Sequence, residues 1–124
     1  MDARSERNLT GVHPDLVKVT RRAYVLAGGA FIVTEGLRTA ARQKQLVEAG
    51  ASRTLNSRHL TGHAVDLAAL VAGKVRWDWP LYARLAGFMK QAAAELNVDI
   101  DWGGDWKRMR DGPHFELSRE VYPA

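Results

Sequence analysis

The spacing of apolar residues predicts helices and strands in the first half of the chain. A first amphipathic helix is expected from Pro14 to Ala27, ended by two glycines. Its apolar residues recur at steps of three and four: Leu16, Val19, Ala23 and Leu26. The short β-branched run 30–34 predicts a buried strand, and Thr39 is a candidate N-cap for a helix reaching Glu48. Residues 51–58 are polar and irregular, which predicts a loop.

The second half predicts a hairpin, a longer helix and two further extended pieces. Residues 63–71 are apolar except for Asp66, and a Gly73-Lys74 turn leads into the strand-like piece 75–77. A helix is expected after Pro80, with an apolar stripe formed by Leu81, Leu85, Phe88, Met89, Ala92 and Leu96. Extended pieces at 98–102 and 113–117 flank a glycine-rich connection. Because strands and helices do not alternate regularly, we predict an α+β fold with a small antiparallel sheet flanked by helices.

Composition limits the domain count and the available chemistry. A chain of 124 residues, 46% hydrophobic and 26% charged, predicts one globular domain over 1–124 with a core at about 14–117. It has no cysteine, which excludes disulfides, a catalytic thiol and cysteine-bound metals. The net charge of +4 suits an anionic partner such as a cell wall, a lipid surface or nucleic acid, without choosing among them. The sequence has no basic run with interleaved aromatic residues, the pattern that would favour binding to nucleic acid.

The amino-terminal segment suggests where the protein is made. Residues 1–7 are charged and lack the apolar stretch of a signal peptide, and no apolar run reaches membrane-spanning length. We therefore expect synthesis in a cytoplasm, with another factor needed if the protein acts outside it.

The candidate chemistry lies in two stretches around two histidines and two aspartates. Asp66 interrupts an apolar strand, and His59 precedes it across a turn marked by Gly62. A buried carboxylate is costly unless it is paired, hydrogen-bonded or bound to a cation. His114 follows Asp111 by three residues on a second strand. Two histidines and an aspartate form a reasonable zinc site, although a lone histidine is more often a surface or hydrogen-bonded residue, and Asp66 could instead pair with an arginine.

Other polar and aromatic residues allow two interpretations each. His13, before Pro14, is expected to be a structural residue at a helix start, and His63 is not expected to bind metal. Glu116 shares a strand face with His114, where it either orients that residue or is solvated. Trp106 is expected in the core, whereas Trp102 fits the core and a cleft wall equally well.

The motif Ser57-x-His59-x-x-Gly62-x-Ala64-x-Asp66, followed by Asp111-x-x-His114, resembles a family of zinc peptidases that cut bacterial cell-wall peptides. That family includes D-alanyl-D-alanine carboxypeptidases, dipeptidases of the vancomycin-resistance type and L-alanyl-D-glutamate endopeptidases that serve as phage endolysins. The resemblance extends upstream through residues 35–39, Gln43, Leu46 and Gly50. Residues 102–104 fit the endolysin branch, and the whole resemblance covers about 14–117.

The resemblance implies a role for each matching residue. His59, Asp66 and His114 would bind one zinc ion, and Asp111 would occupy the general-base position. Arg38 matches an arginine that faces the scissile carbonyl, where it would stabilise the oxyanion. Two weaker assignments are substrate contacts: Ser57, which could equally cap a turn, and Trp102.

We therefore expect a zinc-dependent peptidoglycan peptidase, cleaving the L-Ala–D-Glu bond as a phage-type endolysin. The alternative within the family is a D,D-carboxypeptidase that removes terminal D-Ala. Alternatives from other classes are a catalytically silent wall-binding domain and a non-specific nucleic-acid binder. The expected partner is bacterial peptidoglycan, and the expected place of action is the periplasm or cell wall. We expect a monomer that binds no nucleic acid and does not insert stably into a membrane.

Overall fold

Four helices and five strands form the part of the chain that the structure, a computed structural model, describes: residues 1–52 and 54–123. The helices are α1 (Ala3–Asn8), α2 (Pro14–Leu26), α3 (Ala40–Glu48) and α4 (Trp79–Leu96). The strands are β1 (Phe31–Glu35), β2 (Ala64–Val71), β3 (Lys74–Arg76), β4 (Ile100–Trp102) and β5 (His114–Leu117). Short 3₁₀ helices cover Arg58–Thr61 and Gly103–Asp105. The predicted α+β class is confirmed.

The strands form one antiparallel sheet in the order β1-β2-β5-β4, with β3 paired to β2. The predicted hairpin is present, because Ala69 of β2 lies opposite Arg76 of β3. Strand β5 comes last along the chain but lies inside the sheet, between β2 and β4. In the predicted loop 51–58, Arg53 lies outside the described residues, and Arg58 begins a 3₁₀ helix.

The core lies where α2 and α4 pack on each other and on the sheet. His13 caps α2, as expected of a structural residue: its Nδ1 accepts a hydrogen bond from the main-chain N–H of Asp15 at 3.1 Å. The predicted stripe of α4 is correct at Leu85, Met89 and Ala92, which are buried, and wrong at Leu96, which is 41% exposed. The remaining buried positions of this helix are Tyr82, Ala86 and Ala93.

The sequence analysis missed α1, which closes the free edge of the sheet. Ser5 is buried, and its hydroxyl oxygen accepts a hydrogen bond from the N–H of Val33 at 3.0 Å. The side-chain amide of Asn8 donates to the carbonyl oxygen of Val33 at 2.9 Å. These contacts satisfy polar groups of edge strand β1 that would otherwise be unpaired. Among the residues described, no helix combines the length and the apolar character needed to cross a membrane.

Candidate metal centre and its cleft

Strand register places Asp66 and His114 side by side. Asp66 of β2 lies directly opposite His114 of β5, and on its other side it pairs with Glu35 of β1. Side chains alternate between the two faces of a strand. The neighbouring residues Val65 and Phe115 are fully buried in the core, so the polar side chains gather on the opposite face of the sheet.

A tight turn brings His59 to the same place. The hydroxyl of Ser57 accepts a hydrogen bond from the N–H of His59 at 3.2 Å and caps the 3₁₀ helix, so one of the two roles expected of Ser57 is observed. Gly62 ends that helix in the left-handed region, at φ 74°. A Cβ at this position would lie 2.4 Å from the carbonyl oxygen of Gly11, so both the backbone angle and the close approach require glycine.

Three donor atoms converge between these residues. Nε2 of His59 lies 3.2 Å from Oδ1 of Asp66, and Nδ1 of His114 lies 3.1 Å from the same oxygen. One ligand atom from each of the three residues lies within 4.8 Å of the other two. In a tetrahedral zinc site with bonds of about 2.0–2.1 Å, neighbouring ligand atoms are separated by roughly 3.3 Å. The spacing of the donors therefore fits one zinc ion.

The outer nitrogen of each ring is also held. Nδ1 of His59 lies 2.8 Å from the carbonyl oxygen of Gly36, and Nε2 of His114 lies 2.9 Å from Oε1 of Glu116. A neutral imidazole has one N–H and one lone pair. When the outer nitrogens donate to Gly36 and Glu116, both inner lone pairs are directed toward the Asp66 carboxylate. A cation at that point satisfies all three groups at once, as expected of a metal site with oriented ligands.

The charges of the site reinforce one another. Burial raises the pKa of Asp66, but the hydrogen bonds with His114 and His59 outweigh this and hold the pKa well below its ordinary value. Burial lowers the pKa of His114, but hydrogen bonds to Asp66 and Glu116 raise it to about 9 in the metal-free protein. The site therefore favours a positive charge between its carboxylates.

Asp111 lies at the cleft on a loop fixed by its main chain. Its N–H donates to the carbonyl oxygen of Gly103 at 3.0 Å, and a Cβ on Gly103 would lie 2.3 Å from the carbonyl oxygen of Asp111. Burial and the nearby charge of Asp66 raise the pKa of the Asp111 carboxyl group. A carboxylate with a raised pKa is better suited to accepting a proton.

Arg38 is buried at the other side of the cleft and is held by two partners. Its Nε and Nη2 donate to the two carboxylate oxygens of Glu35 at 2.7 and 2.6 Å, and its Nη1 donates to Oε1 of Gln43 at 2.7 Å. Nη2 also lies 3.7 Å from Oδ2 of Asp66. The guanidinium group is thus fixed beside the candidate metal centre and lines the cleft.

Of the two tryptophans, Trp106 does not lie where the sequence favoured, and the structure gives Trp102 one of its two expected places. Trp106, expected in the core, lines the cleft, and its ring centroid is 5.1 Å from that of His114. Trp102, left open between core and cleft, is a core residue stacked on Phe115 at 6.4 Å. The difference arises because Trp102 lies on β4 opposite Phe115, whereas Trp106 follows the second 3₁₀ helix.

Sequence reasoning underestimated Glu116 and missed Arg58. Glu116 is buried and hydrogen-bonded to His114, so it is not solvated. Glu116 follows His114 by two residues on one strand face, and this spacing was the signal in the sequence that it could contact His114. Arg58 is buried next to His59 in the chain, at a variable position of the motif, and no pattern singled it out. His63 hydrogen-bonds Thr61, and in the described part of the chain it lies outside the group formed by His59, Asp66 and His114.

Comparisons with known proteins identify the family of the chain. The family model for phage L-alanyl-D-glutamate peptidases matches residues 1–122. The L-alanyl-D-glutamate peptidase of Escherichia phage T5 is 35% identical over 122 residues, covering 95% of this chain and 88% of the relative. The enzyme of the same name from Listeria phage A118 is 35% identical over 95 residues, which are 77% of this chain and 33% of the relative.

Solved structures show the same relationship. The crystal structure of the Serratia marcescens L-Ala D-Glu endopeptidase ChiX is 53% identical, with a TM-score of 0.92, covering all of this chain and 93% of that one. The vancomycin-resistance D,D-dipeptidase VanXYg is 18% identical, with a TM-score of 0.56, covering 86% of this chain and 50% of that one, and it shares the fold. The molecule is thus a peptidase of α+β fold with a candidate His-Asp-His metal site. It belongs to the phage L-alanyl-D-glutamate peptidase family.

Proposed function

We propose that this peptidase uses one zinc ion, held by His59, Asp66 and His114, to hydrolyse the L-Ala–D-Glu bond of peptidoglycan stem peptides. The observation that carries the proposal is the pairing of both outer imidazole nitrogens with acceptors, which leaves two inner nitrogens and one carboxylate converging within 4.8 Å. When bound, zinc would polarise the scissile carbonyl and lower the pKa of a water molecule to about 7. Family membership supports the choice of bond.

Asp111 is the proposed general base and acid. The loop that carries Asp111 ends at His114 and holds the Asp111 carboxyl group near the proposed ligands. The main-chain N–H of His114 donates a hydrogen bond to the carbonyl oxygen of Asp111 at 3.3 Å. It would accept a proton from the attacking water and later give one to the leaving amine of D-Glu. Its raised pKa favours both transfers, because base and acid forms are then closer in energy at neutral pH.

Arg38 is the proposed stabiliser of the oxyanion. The ion pair with Glu35 and the hydrogen bond to Gln43 use three of its five N–H groups, which leaves one on each terminal nitrogen. A guanidinium held in place in a partly dry cleft needs little rearrangement as negative charge develops. Ser57 and Trp106 also line the cleft, which supports a proposed contact of each with the peptide.

The biological role we propose is that of a phage-type endolysin. Two of the relatives come from phages. The protein would be made in the host cytoplasm and reach the wall once another factor has breached the membrane. The formal net charge of +4 would assist its attraction to the anionic envelope. Such attraction is screened by salt, so lysis should slow as ionic strength rises, and an unchanged rate would refute this contribution.

The decisive experiment is a digest of purified peptidoglycan with zinc analysis of the same protein sample. New L-Ala carboxyl and D-Glu amino termini, with one zinc per chain, are the expected result. Release of free D-Ala would instead identify a D,D-carboxypeptidase. His59→Ala serves as the inactive control for the metal site, and His63→Ala is its matched control, because His63 lies outside the metal-binding group.

A further inference from the structure

Arg58 and Glu116 form a buried ion pair next to the candidate metal centre. Both side chains are 6% exposed, and Nε of Arg58 lies 3.6 Å from Oε2 of Glu116. Oε1 of the same carboxylate lies 2.9 Å from Nε2 of His114. Arg58 is therefore two contacts away from a metal ligand that lies 56 positions further along the chain.

This pair is an inefficient way to stabilise the fold. Removing two charges from water costs several kcal/mol for each ion, roughly, and only good geometry with further hydrogen bonds repays it. Nε of Arg58 is beyond hydrogen-bond distance from Glu116, and it is the one buried side-chain nitrogen or oxygen without a partner in the part of the chain that is described. The value of the pair must therefore lie in what it holds in place.

Arg58 is itself held by the end of β5 and by the carboxyl-terminal segment, residues 118–123. Its Nη2 donates to the carbonyl oxygens of Leu117 and Tyr122, each at 2.9 Å. Tyr122 is anchored in turn, because its hydroxyl donates to Asp15 at 2.8 Å and its ring packs edge-on against His13 at 5.3 Å. The segment thus connects the start of α2 to the guanidinium group.

We propose that Arg58 is a positioning residue for the metal centre. Fixed by the carboxyl-terminal segment, it holds the Glu116 carboxylate toward His114 and thereby raises the affinity for zinc. Glu116 has a second cation nearby: Nε of Arg119 lies 3.4 Å from Oε2, on a side chain that is 68% exposed. Without Arg58, this exposed partner would draw the carboxylate toward solvent and away from the imidazole. The inference rests on the proposed zinc site.

The test is a double-mutant cycle on zinc affinity, measured by competition with a chelator. Replacing an outer partner of a metal-bound histidine costs about 10–100-fold in metal affinity, which is the loss expected for Glu116→Gln. Arg58→Met should raise the Kd for zinc by at least about tenfold on the same grounds. In the Glu116→Gln background, Arg58→Met should change the Kd less than about twofold, because the group through which it acts is already neutral. Arg119→Met is the matched control, with wild-type affinity expected.

Denaturant unfolding of the metal-free variants ensures that each Kd is measured on folded protein. If Arg58→Met does not fold, the double variant, which removes both buried charges together, is compared with Glu116→Gln alone. A chain ending at Glu120 loses the Tyr122 carbonyl but keeps Arg119 and the Leu117 carbonyl. It should lose zinc affinity in the same direction as Arg58→Met, and combining the two changes should cause no greater loss than Arg58→Met alone.

Three results would overturn the inference: wild-type affinity in folded Arg58→Met, equal losses for Arg58→Met and Arg119→Met, or a further large loss when Arg58→Met is added to Glu116→Gln. Wild-type affinity in the shortened chain would refute the part assigned to the carboxyl-terminal segment. Absence of zinc binding by the wild-type protein would instead refute the proposed function.

Discussion

The indole N–H of Trp102 donates a hydrogen bond of 2.7 Å to the main-chain carbonyl of Gly112. Gly112 directly follows Asp111, so a core side chain holds the main chain that carries the proposed base. Gly112 is closely packed, because a Cβ there would lie 3.2 Å from Tyr82 and 3.3 Å from Trp79, and these neighbours would have to shift by a few tenths of an ångström. The position of the catalytic loop thus depends on packing in the core.

We expect Trp102→Phe to impair catalysis while zinc binding is retained. The variant leaves the buried Gly112 carbonyl unpaired, at a cost of about 1–3 kcal/mol. Displacement of Asp111 by a fraction of an ångström should lower kcat by roughly 10–100-fold. Steady-state kinetics on a stem peptide and zinc analysis measure the two effects. Trp77→Phe, at a position 63% exposed, is the matched control and should keep wild-type kcat. Equal losses in both variants would contradict the proposed support of the loop.

Asp111→Asn separates metal binding from proton transfer. Asparagine has nearly the same shape but cannot accept the proton, so kcat should fall by a factor of about 10²–10⁴. The metal ligands are unchanged, and one zinc per chain should remain. Turnover and zinc content, measured on the same preparation, test this prediction. Wild-type turnover would show that another group is the base.

Removal of a ligand should abolish both zinc binding and hydrolysis. His114→Ala deletes one of the three proposed ligands, and treatment of the wild-type protein with a chelator should produce the same loss of activity. Zinc added back should restore the chelated wild type and leave the variant inactive. Metal content by elemental analysis checks this, and full zinc content in His114→Ala would show that the ligand set is wrong.

Zinc binding should release at least about one proton at pH 7.5: about one from His114, and a further fraction from water bound to zinc, whose pKa is about 7. The pKa of His114 is raised to about 9, so this imidazole carries two protons there in the metal-free protein. Binding through Nδ1 requires loss of one of them. Apparent affinity should therefore rise as pH increases toward 9 and level off above it. Calorimetry in buffers of different ionisation enthalpy counts the protons, and a count of zero at pH 7.5 would contradict a charged His114.

The same shift affects the stability of the metal-free protein. The pKa of His114 is higher in the folded state than the ordinary value of 6.5. Its contribution to the free energy of unfolding is therefore complete below about pH 6.5 and is lost as pH rises through about 9. Urea unfolding of metal-free protein at pH 6.5 and 9.5 should show the loss, and metal-free His114→Ala should not show this component.

Local patterns were sufficient to predict much of the fold. Helix α2, strand β1 and the β2–β3 hairpin each have a clear periodicity or turn signal, and the structure confirms them. Helix α1 has only six residues, mostly polar or charged, and its buried Ser5 is stabilised by contact with β1. No repeating apolar pattern marks such a helix, because its burial depends on a partner distant in the sequence.

The candidate site likewise divides into residues that a local motif predicts and residues whose roles depend on contacts distant in the sequence. His59, Asp66 and His114 were predicted from their motif, and the structure brings all three together. The roles of Glu116 and Arg58 depend on the pairing register of β2 and β5 and on the path of the carboxyl-terminal segment. Neither is a local property, so the sequence alone left Glu116 open and gave no indication of Arg58.

The order of the strands has a consequence for protein synthesis. Strand β5 is the last to leave the ribosome, yet its place is inside the sheet, where it supplies His114. A nascent chain that has not yet reached residue 114 has only two of the three proposed ligands, and until β5 is made β4 has no neighbouring strand. The candidate metal centre therefore cannot assemble until β5 has been synthesised and has taken its place between β2 and β4.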